Sequence, residues 1–182
     1  MNIEYEARIL EVNTEELEKK IKELGGKFVS DFDQKRYVYD VIPKQEAKWI
    51  RLRKANDETT LTIKDISSKT ISGTKELEIK VDDFEKTNLL LEELGFTNKG
   101  YQENKRRRYI LDGVEIDIDS WPKIPTYIEI EGKNEEEVKN TIHKLGYSDE
   151  EIVTLDVENI YRKYGFELEE IKILKFEEEK ND

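Results

Sequence analysis

The stretch IEYEARI, residues 3–9, carries the alternating pattern on which the fold prediction rests. Its residues alternate between charged and apolar, and alternate residues of a β-strand share one face. One face therefore carries Glu4, Glu6 and Arg8, and the other carries Ile3, Tyr5 and Ala7. A strand that keeps its apolar face for the core must send its charged face either to solvent or into a polar interior.

Two later stretches repeat this unit. The pattern Glu-x-Glu-x-cation returns at residues 76–80 and 129–133, and all three copies lead into a helical pattern that ends at a Leu-Gly pair. From the first Glu to that Gly, the three copies span 21, 19 and 17 residues. Three copies of one strand-helix unit indicate internal duplication rather than chance.

The rest of the chain alternates in a similar way and predicts eight strands. They cover residues 3–9, 35–41, 48–54, 59–65, 75–81, 106–111, 114–119 and 126–132. Helices are predicted over residues 14–26, 83–96 and 134–147, with partial helix in 148–165. We expect Thr14 to cap the first helix, Ser148 and Glu151 to form a capping box, and the apolar strand faces to pack under the helices. The stretch 167–182 is either strand or helix and ends in a charged tail.

The composition excludes several classes of function. Of 182 residues, 41% are charged, and the net charge is −12, so neither nucleic acid nor an anionic membrane is an expected partner. Cys is absent and His143 is the only histidine, which removes thiolate and histidine-rich metal sites. The acidic excess instead suits divalent cations held by oxygen ligands. No segment resembles a membrane span or a signal peptide, so we expect a cytoplasmic protein.

The charged faces leave two architectures open. An open sheet could carry them on a solvated side laced with cross-strand ion pairs, which would suit a protein-binding scaffold. Alternatively, eight such strands can close into a barrel with helices outside and the charges in the lumen. Buried charges must be paired or bind ions. A lumen that holds both carboxylates and cations suits a polyanion bound through divalent metals.

The order of the charged motifs resembles the CYTH, or triphosphate-tunnel, superfamily. That family includes class IV adenylyl cyclases, thiamine triphosphatases and inorganic tripolyphosphatases. Its signature is matched in order, from residue 3 to residue 131, by Glu4, Glu6 and Arg8, by Arg51 and Arg53 in WIRLR, by Lys64 in LTIK, by Glu76 and Glu78, by Arg106 with Tyr109, by Asp119, and by Glu129 with Glu131. The later stretch ENIYRKYG, with Tyr161, is similar to the family's C-terminal helix.

The resemblance implies an α+β fold: an eight-stranded antiparallel β-barrel that forms a triphosphate tunnel, with helices packed outside. It implies one domain over residues 1–182, with the barrel and its helices in 1–147 and a C-terminal helix and tail in 148–182. The implied ligands of Mg²⁺ or Mn²⁺ are Glu4, Glu6, Glu76, Asp117, Asp119, Glu129 and Glu131. The implied triphosphate-binding residues are Arg8, Arg51, Arg53, Lys64, Lys80, Arg106 and Arg108. The implied catalytic residues are Arg8, Lys64 and Glu78, where Glu78, like Glu76, either contacts metal or orients the cations.

Two positions depart from the family pattern. Arg8 replaces a Lys, and an Arg is effectively never deprotonated, so it cannot help to activate a nucleophile by giving up a proton. Lys35 and Arg36 lie where an Asp often precedes the aromatic strand. Both departures make the predicted site more cationic.

The resemblance leaves the reaction open. The preferred reaction is metal-dependent hydrolysis of a triphosphate, either inorganic tripolyphosphate, thiamine triphosphate or a nucleoside triphosphate. The first alternative is a class IV adenylyl cyclase that converts ATP to cyclic AMP and pyrophosphate; Trp49 and Trp121 could stack on the base, although a packed or rim Trp is the commoner role. The second alternative is a non-catalytic module that binds an organophosphate, which the presence of Arg8 in place of the family's Lys suggests. Association into a homodimer is also left open.

Overall fold

The computed structural model describes residues 1–177, in which eight antiparallel strands close into a barrel. The strands are β1 (Asn2–Ile9), β2 (Lys27–Gln45), β3 (Lys48–Ala55), β4 (Glu58–Ile66), β5 (Thr74–Val81), β6 (Asn98–Leu111), β7 (Val114–Ser120) and β8 (Tyr127–Gly132). Their order is β2-β3-β4-β5-β1-β8-β7-β6, and pairing of β6 with β2 closes the ring. The predicted α+β barrel is confirmed, and the open sheet with a solvated charged face is wrong.

The two strands that close the barrel are much longer than predicted. β2 begins at Lys27 rather than at residue 35, and β6 begins at Asn98 rather than at residue 106. The two pair from Lys27 with Ile110 to Tyr39 with Asn98, which covers nearly all of β6 and the first two thirds of β2. Their added halves show no regular alternation of apolar residues, so they are specified by backbone pairing across the seam rather than by a local pattern.

Four α-helices lie in the described part of the chain: α1 (Thr14–Glu23), α2 (Phe84–Glu93), α3 (Glu135–Leu145) and α4 (Val157–Lys163). The prediction that Thr14 caps α1 is wrong, because the Asn13 side chain accepts the hydrogen bond from the Glu16 backbone N–H. The capping box of Ser148 and Glu151 is confirmed, although it opens only one 3-10 turn. None of the helices in residues 1–177 is long and apolar enough to cross a membrane.

The C-terminal stretch adds a short ninth strand beside the barrel. β9 (Ile173–Leu174) pairs in parallel with β6, and a 3-10 turn (Leu168–Glu170) precedes it. The end of the predicted charged tail, residues 178–182, lies outside the described residues.

The main apolar core lies between the barrel wall and helices α1 and α3. Ile128 and Ile130 of β8 are fully buried in one cluster with Ile142 of α3 and Ile21 of α1. This arrangement leaves the alternate residues of β8 to face the barrel interior. The predicted packing of the third repeat is therefore confirmed.

The second repeat packs differently from the prediction. Leu77 and Ile79 of β5 are 52% and 54% exposed, so the expectation that their face lies under a helix is wrong. The reason is that α2 lies over β3 instead, where Phe84 and Leu91 are buried with Leu52. The outer face of β5 remains uncovered in the described part of the chain.

Candidate active site in the barrel

The inward faces of the strands line a tunnel of about 830 Å³. Because side chains alternate along a strand, the register that buries Ile128 and Ile130 outside turns Glu129 and Glu131 inward. The predicted site residues in the lining are Glu4, Glu6, Arg8, Arg51, Arg53, Lys64, Glu76, Glu78, Arg106, Arg108, Glu129 and Glu131. Asp117 and Asp119 are buried and contact this lining through Arg106. The structure thus brings together every predicted site residue except Lys80, and their roles in binding or catalysis stay predictions.

Lys80 lies outside the tunnel. It is near the end of β5, its side chain is 76% exposed, and it forms an ion pair with Glu58 of β4. A solvated pair of this kind contributes little to stability and presents no charge to the tunnel. The predicted contact between Lys80 and substrate stays a prediction that this position does not favour.

Arg106 is the centre of an acidic wall formed by β7, β8 and the neighbouring β1. Its Nη1 donates to Asp117 Oδ2 at 2.6 Å, its Nε donates to Asp119 Oδ1 at 2.8 Å, and its Nη2 donates to Glu129 Oε1 at 3.1 Å. Burial alone would lower the pKa of Arg106, but the carboxylates outweigh it and raise that pKa well above its usual value. Arg106 is therefore a permanent cation whose donors are already engaged.

Arg8 joins this wall to the C-terminal segment. Its Nη2 donates to Glu129 at 2.5 Å and lies 3.3 Å from Glu6, while its Nη1 donates to the Leu155 carbonyl at 2.9 Å. The backbone of Arg8 also pairs with that of Val153. Burial favours the neutral form of Glu129, but the charge of Arg8 outweighs it and the pKa of Glu129 is well below its usual value. The guanidinium of Arg8 thus anchors two carboxylates and a carbonyl, which one lysine nitrogen would not reproduce.

Glu131 is a tunnel carboxylate that has no cationic partner among the described residues. It stands directly across from Glu6 of β1 and from Glu115 of β7. Like charges that face each other across a sheet repel. Burial, followed by the charges of Glu129 and Glu4, raises the pKa of Glu131 to about 8. The tunnel therefore holds a row of three carboxylates, Glu6, Glu131 and Glu115, of which Glu6 pairs with Arg8, Glu115 pairs with Arg108 and Glu131 has no such pair among residues 1–177.

A divalent cation suits this part of the tunnel. Glu4, Glu6 and Glu131 present the hard oxygen ligands that Mg²⁺ and Mn²⁺ prefer, and a bound cation would relieve their repulsion. Burial also raises the pKa of Glu4 to about 7, although the charge of Lys64 opposes this rise. No three acidic or histidine side chains in residues 1–177 are already gathered around one metal position. The ligand set fits a divalent metal by its chemistry, and metal binding stays a prediction.

The opposite wall, formed by β3, β4 and β5, is cationic and only loosely compensated. Nη2 of Arg51 lies 3.6 Å from Glu76 and 3.5 Å from Glu78, and Nη2 of Arg53 lies 3.5 Å from Glu78. Glu78 also accepts a hydrogen bond from Thr62 Oγ1 at 2.8 Å, which fixes its carboxylate between the two guanidinium groups. The charge of Arg51, followed by burial, lowers the pKa of Arg53 to about 9. This wall therefore carries positive charge that an anion can neutralise.

Lys64 links the two walls. Its Nζ donates to Glu4 Oε2 at 2.8 Å and lies 3.0 Å from Glu76 Oε2. Burial opposes the charged form of Lys64, but Glu6 and Glu4 outweigh it and its pKa is raised. Lys64 is therefore protonated at neutral pH.

Several members of the tunnel lining were missed as site residues, among them Glu115 and Arg36. Glu115 alternates with Asp117 and Asp119 along VEIDID, and Arg36 alternates with Asp40 along KRYVYD, so each shares the inward face of its strand. The period-2 pattern contained this signal at both positions. The C-terminal segment also contributes, because residues 154–159 line the tunnel together with Arg162 of α4.

Comparisons with known proteins agree with this architecture. The family model described as CYTH domain matches residues 2–159. No curated protein matches the chain at a significant level. Among solved structures, the PH1012 protein of Pyrococcus horikoshii OT3 is 27% identical, with a TM-score of 0.76 over 87% of this chain and 99% of its own.

Two further solved structures share the fold at lower identity. A protein from Vibrio parahaemolyticus, named as a candidate adenylate cyclase, is 12% identical, with a TM-score of 0.75 over 88% of this chain and 98% of its own. A protein from Hippeastrum, named as a candidate adenylyl cyclase with a dominant triphosphatase activity, is 17% identical, with a TM-score of 0.63 over 93% of this chain and 99% of its own. At these identities the likeness shows the fold alone.

Proposed function

The chain belongs to the CYTH domain family, and on that premise we propose that it hydrolyses a triphosphate inside the barrel in a metal-dependent reaction. The substrates in question are inorganic tripolyphosphate, thiamine triphosphate and nucleoside triphosphates. Triphosphatase activity is the one named as dominant for the Hippeastrum protein.

The two-sided interior is the observation that carries this proposal. One wall holds Arg51 and Arg53 with carboxylates no closer than 3.5 Å, and the other holds Glu131 with no cationic partner among residues 1–177. A triphosphate needs cations around its oxygens and a divalent metal that bridges it to the protein. The walls offer these two requirements on opposite sides of one cavity of about 830 Å³.

The cationic wall would position the phosphate chain. Arg51 and Arg53 offer guanidinium forks that match phosphoryl oxygens, and Lys64 adds a compact charge beside them. Glu78 acts as a positioning residue, because it holds the two guanidinium groups from one carboxylate. Fixing the chain in this way lowers the entropy cost of reaching the transition state, and the cations stabilise the charge that develops there.

The acidic wall would hold the metal. Glu4, Glu6 and Glu131 are the proposed ligands, and Glu129, Asp117 and Asp119 orient the cations around them. A bound Mg²⁺ or Mn²⁺ supplies Lewis-acid polarisation of the phosphate and a water of lowered pKa. Arg8 and Arg106 hold the remaining carboxylates of this wall in place through ion pairs.

A substrate panel tests the proposal. Tripolyphosphate, thiamine triphosphate and ATP are each incubated with Mg²⁺ or Mn²⁺, and phosphate, pyrophosphate and cyclic AMP are quantified. We expect phosphate release that Glu6→Ala reduces by about 100-fold, whereas Glu136→Ala, an exposed acid on α3, leaves it unchanged. Full metal-dependent activity in Glu6→Ala would show that the assigned site is wrong.

Cyclisation of ATP is the alternative reaction in the same tunnel. Trp49 lines the cavity and remains able to stack on an adenine, which is the observation that keeps this alternative. Cyclic AMP as the main product from ATP would show that the reaction is cyclisation rather than hydrolysis. Tight binding of these substrates without turnover by either metal would instead support a non-catalytic organophosphate-binding module.

A further inference from the structure

Arg36 of β2 is a buried cation with no carboxylate partner in the part of the chain that the structure describes. It is 7% exposed, and no acidic side chain in residues 1–177 forms an ion pair with it within 4.0 Å. The other two buried cations of the tunnel differ, because Arg8 lies 2.5 Å from Glu129 and Lys64 lies 2.8 Å from Glu4. An uncompensated buried charge is costly, so its presence calls for a ligand or a function.

Two neutral amides hold the Arg36 guanidinium in position. Its Nη2 donates to Gln34 Oε1 at 3.2 Å and to Asn104 Oδ1 at 2.5 Å, and both amide side chains are buried. They fix the orientation of the guanidinium without neutralising its charge. Nη1 makes no hydrogen bond to a described residue and, unlike the buried Nε, remains accessible from the tunnel that Arg36 lines. The guanidinium therefore presents one free donor to the cavity.

Other cations surround this donor. Arg53 stands directly across from Arg36 on β3, and Arg51 follows it on the same face. Burial, followed by the charges of Arg51 and Arg53, lowers the pKa of Arg36 to about 9. Three cations gathered with so little compensation create a positive potential that attracts an anion.

The aromatic surface beside Arg36 is closed to a nucleobase. The guanidinium lies 4.5 Å from the ring centroid of Trp121, and the ring of Tyr161 meets the same indole edge-on at 6.0 Å. Trp121 is only 4% exposed as a result, and its Nε1 has no hydrogen-bond acceptor within residues 1–177. A ligand that reaches Arg36 thus meets a free guanidinium nitrogen and no open aromatic face, and phosphoryl oxygens accept hydrogen bonds without donating any.

We propose that Arg36, oriented by Gln34 and Asn104, binds a phosphoryl group of the substrate next to those held by Arg51 and Arg53. This inference rests on the proposed function and narrows its substrate class. The group at Arg36 is phosphoryl rather than a base, so the ligand that fills the whole cationic row is a linear inorganic polyphosphate.

Binding of inorganic tripolyphosphate without divalent metal tests this inference by calorimetry. Arg36→Gln is expected to weaken binding by about tenfold or more, since a charge-assisted hydrogen bond is lost. Lys35→Gln is the matched control, because it removes the same charge one residue away on the outer face, where Lys35 pairs with Glu85 at 3.2 Å. Its affinity should stay within about twofold of wild type, the range of a solvated surface charge.

Ligand-free stability separates anion binding from a structural role. Arg36→Gln removes an uncompensated buried charge, so its melting temperature should equal or exceed that of wild type. A purely structural arginine would give a lower melting temperature and unchanged affinity. Wild-type affinity for tripolyphosphate in Arg36→Gln would overturn the inference.

Three further measurements complete the test. If Arg36→Gln does not fold, Arg36→Lys takes its place, because lysine keeps the charge but lacks the forked guanidinium. Tripolyphosphate binding weakened by about threefold or more supports the inference, and unchanged binding overturns it. ATP is measured beside tripolyphosphate, and a loss confined to ATP would assign Arg36 to the nucleoside instead. Turnover is assayed separately. If the wild type binds tripolyphosphate but does not hydrolyse it, the proposed function is wrong and this inference stands. If the wild type hydrolyses tripolyphosphate and Arg36→Gln binds it as tightly as the wild type, this inference alone is wrong.

Discussion

Glu131 lies directly opposite Glu6 across the pairing of β1 with β8, so two carboxylates face each other inside the tunnel. Burial and the neighbouring acids raise the pKa of Glu131 to about 8 from an ordinary value of 4.5. The folded state therefore binds this proton more tightly than the unfolded state, and the free energy of unfolding falls as pH rises from about 4.5 to about 8. We predict that Glu131→Gln stabilises the metal-free protein at pH 8 by about 1–3 kcal/mol, measured by urea denaturation in EDTA.

The control for this prediction is Glu136→Gln, an exposed acid on α3 whose removal changes the charge equally. It should leave the pH profile of stability parallel to that of wild type, whereas the Glu131→Gln profile should be flatter between pH 5 and pH 8. Addition of Mn²⁺ should raise the melting temperature of wild type and raise that of Glu131→Gln much less. Parallel profiles for all three proteins would contradict the account of Glu131.

Arg8→Lys should loosen the C-terminal segment. The lysine nitrogen can replace the contact with Glu129 but not also the hydrogen bond to the Leu155 carbonyl. We expect a loss of about 1–3 kcal/mol in the free energy of unfolding, as for a buried hydrogen bond to a charged group. Amide hydrogen exchange at Val153, whose N–H donates to the Arg8 carbonyl, should become faster.

Amide exchange at a second residue provides the control for this prediction. Exchange at Leu52 of β3, which is buried in a separate core cluster beneath α2, should follow global stability only. Equal protection of Val153 in wild type and in Arg8→Lys would show that Arg8 does not anchor the segment.

The interior of the barrel was predictable because the alternation along a strand is local. Glu4, Glu6 and Arg8 occupy the inward face for the same reason that Ile128 and Ile130 occupy the outward face of β8. The same rule extends to Arg36, which was not assigned a role although it follows the alternation. Patterns within one strand thus identify the members of the tunnel lining.

What depends on register between distant strands was not predictable. Arg106 meets Asp119 only because β6 and β7 pair in that register. Among the described residues, Glu131 lacks a cation because Glu6 and Glu115 occupy the facing positions. Helix α2 packs against β3 rather than β5, and this position depends on tertiary packing between distant elements. The exposure of Leu77 was therefore not predicted. These relationships have no trace in the periodicity of a single element.

Lys64→Gln and Lys80→Gln should differ sharply in their effect on hydrolysis of tripolyphosphate. Both remove one positive charge from neighbouring strands, but Lys64 is buried in the tunnel while Lys80 is solvated beside Glu58. We expect the first to lower kcat/KM by about tenfold or more and the second to change it by less than about twofold. Equal losses in the two variants would mean that substrate also contacts the rim of β5.

Tyr161→Phe should weaken the attachment of α4 to the barrel. The Tyr161 hydroxyl donates to the Pro122 carbonyl at 2.6 Å, and the ring is fully buried against Trp121. Removing the hydroxyl leaves a buried carbonyl without its donor, so we expect a loss of about 1–3 kcal/mol in the free energy of unfolding by urea denaturation. Tyr164→Phe is the matched change on the exposed side, where the hydroxyl donates to Glu11 at 2.9 Å, and it should cost less than about 0.5 kcal/mol.

The same pair of variants tests whether α4 shapes the tunnel. Because Trp121 also packs against Arg36, a loosened α4 should weaken tripolyphosphate binding in Tyr161→Phe and not in Tyr164→Phe. Equal affinity in the two variants would show that α4 supports the fold without shaping the tunnel.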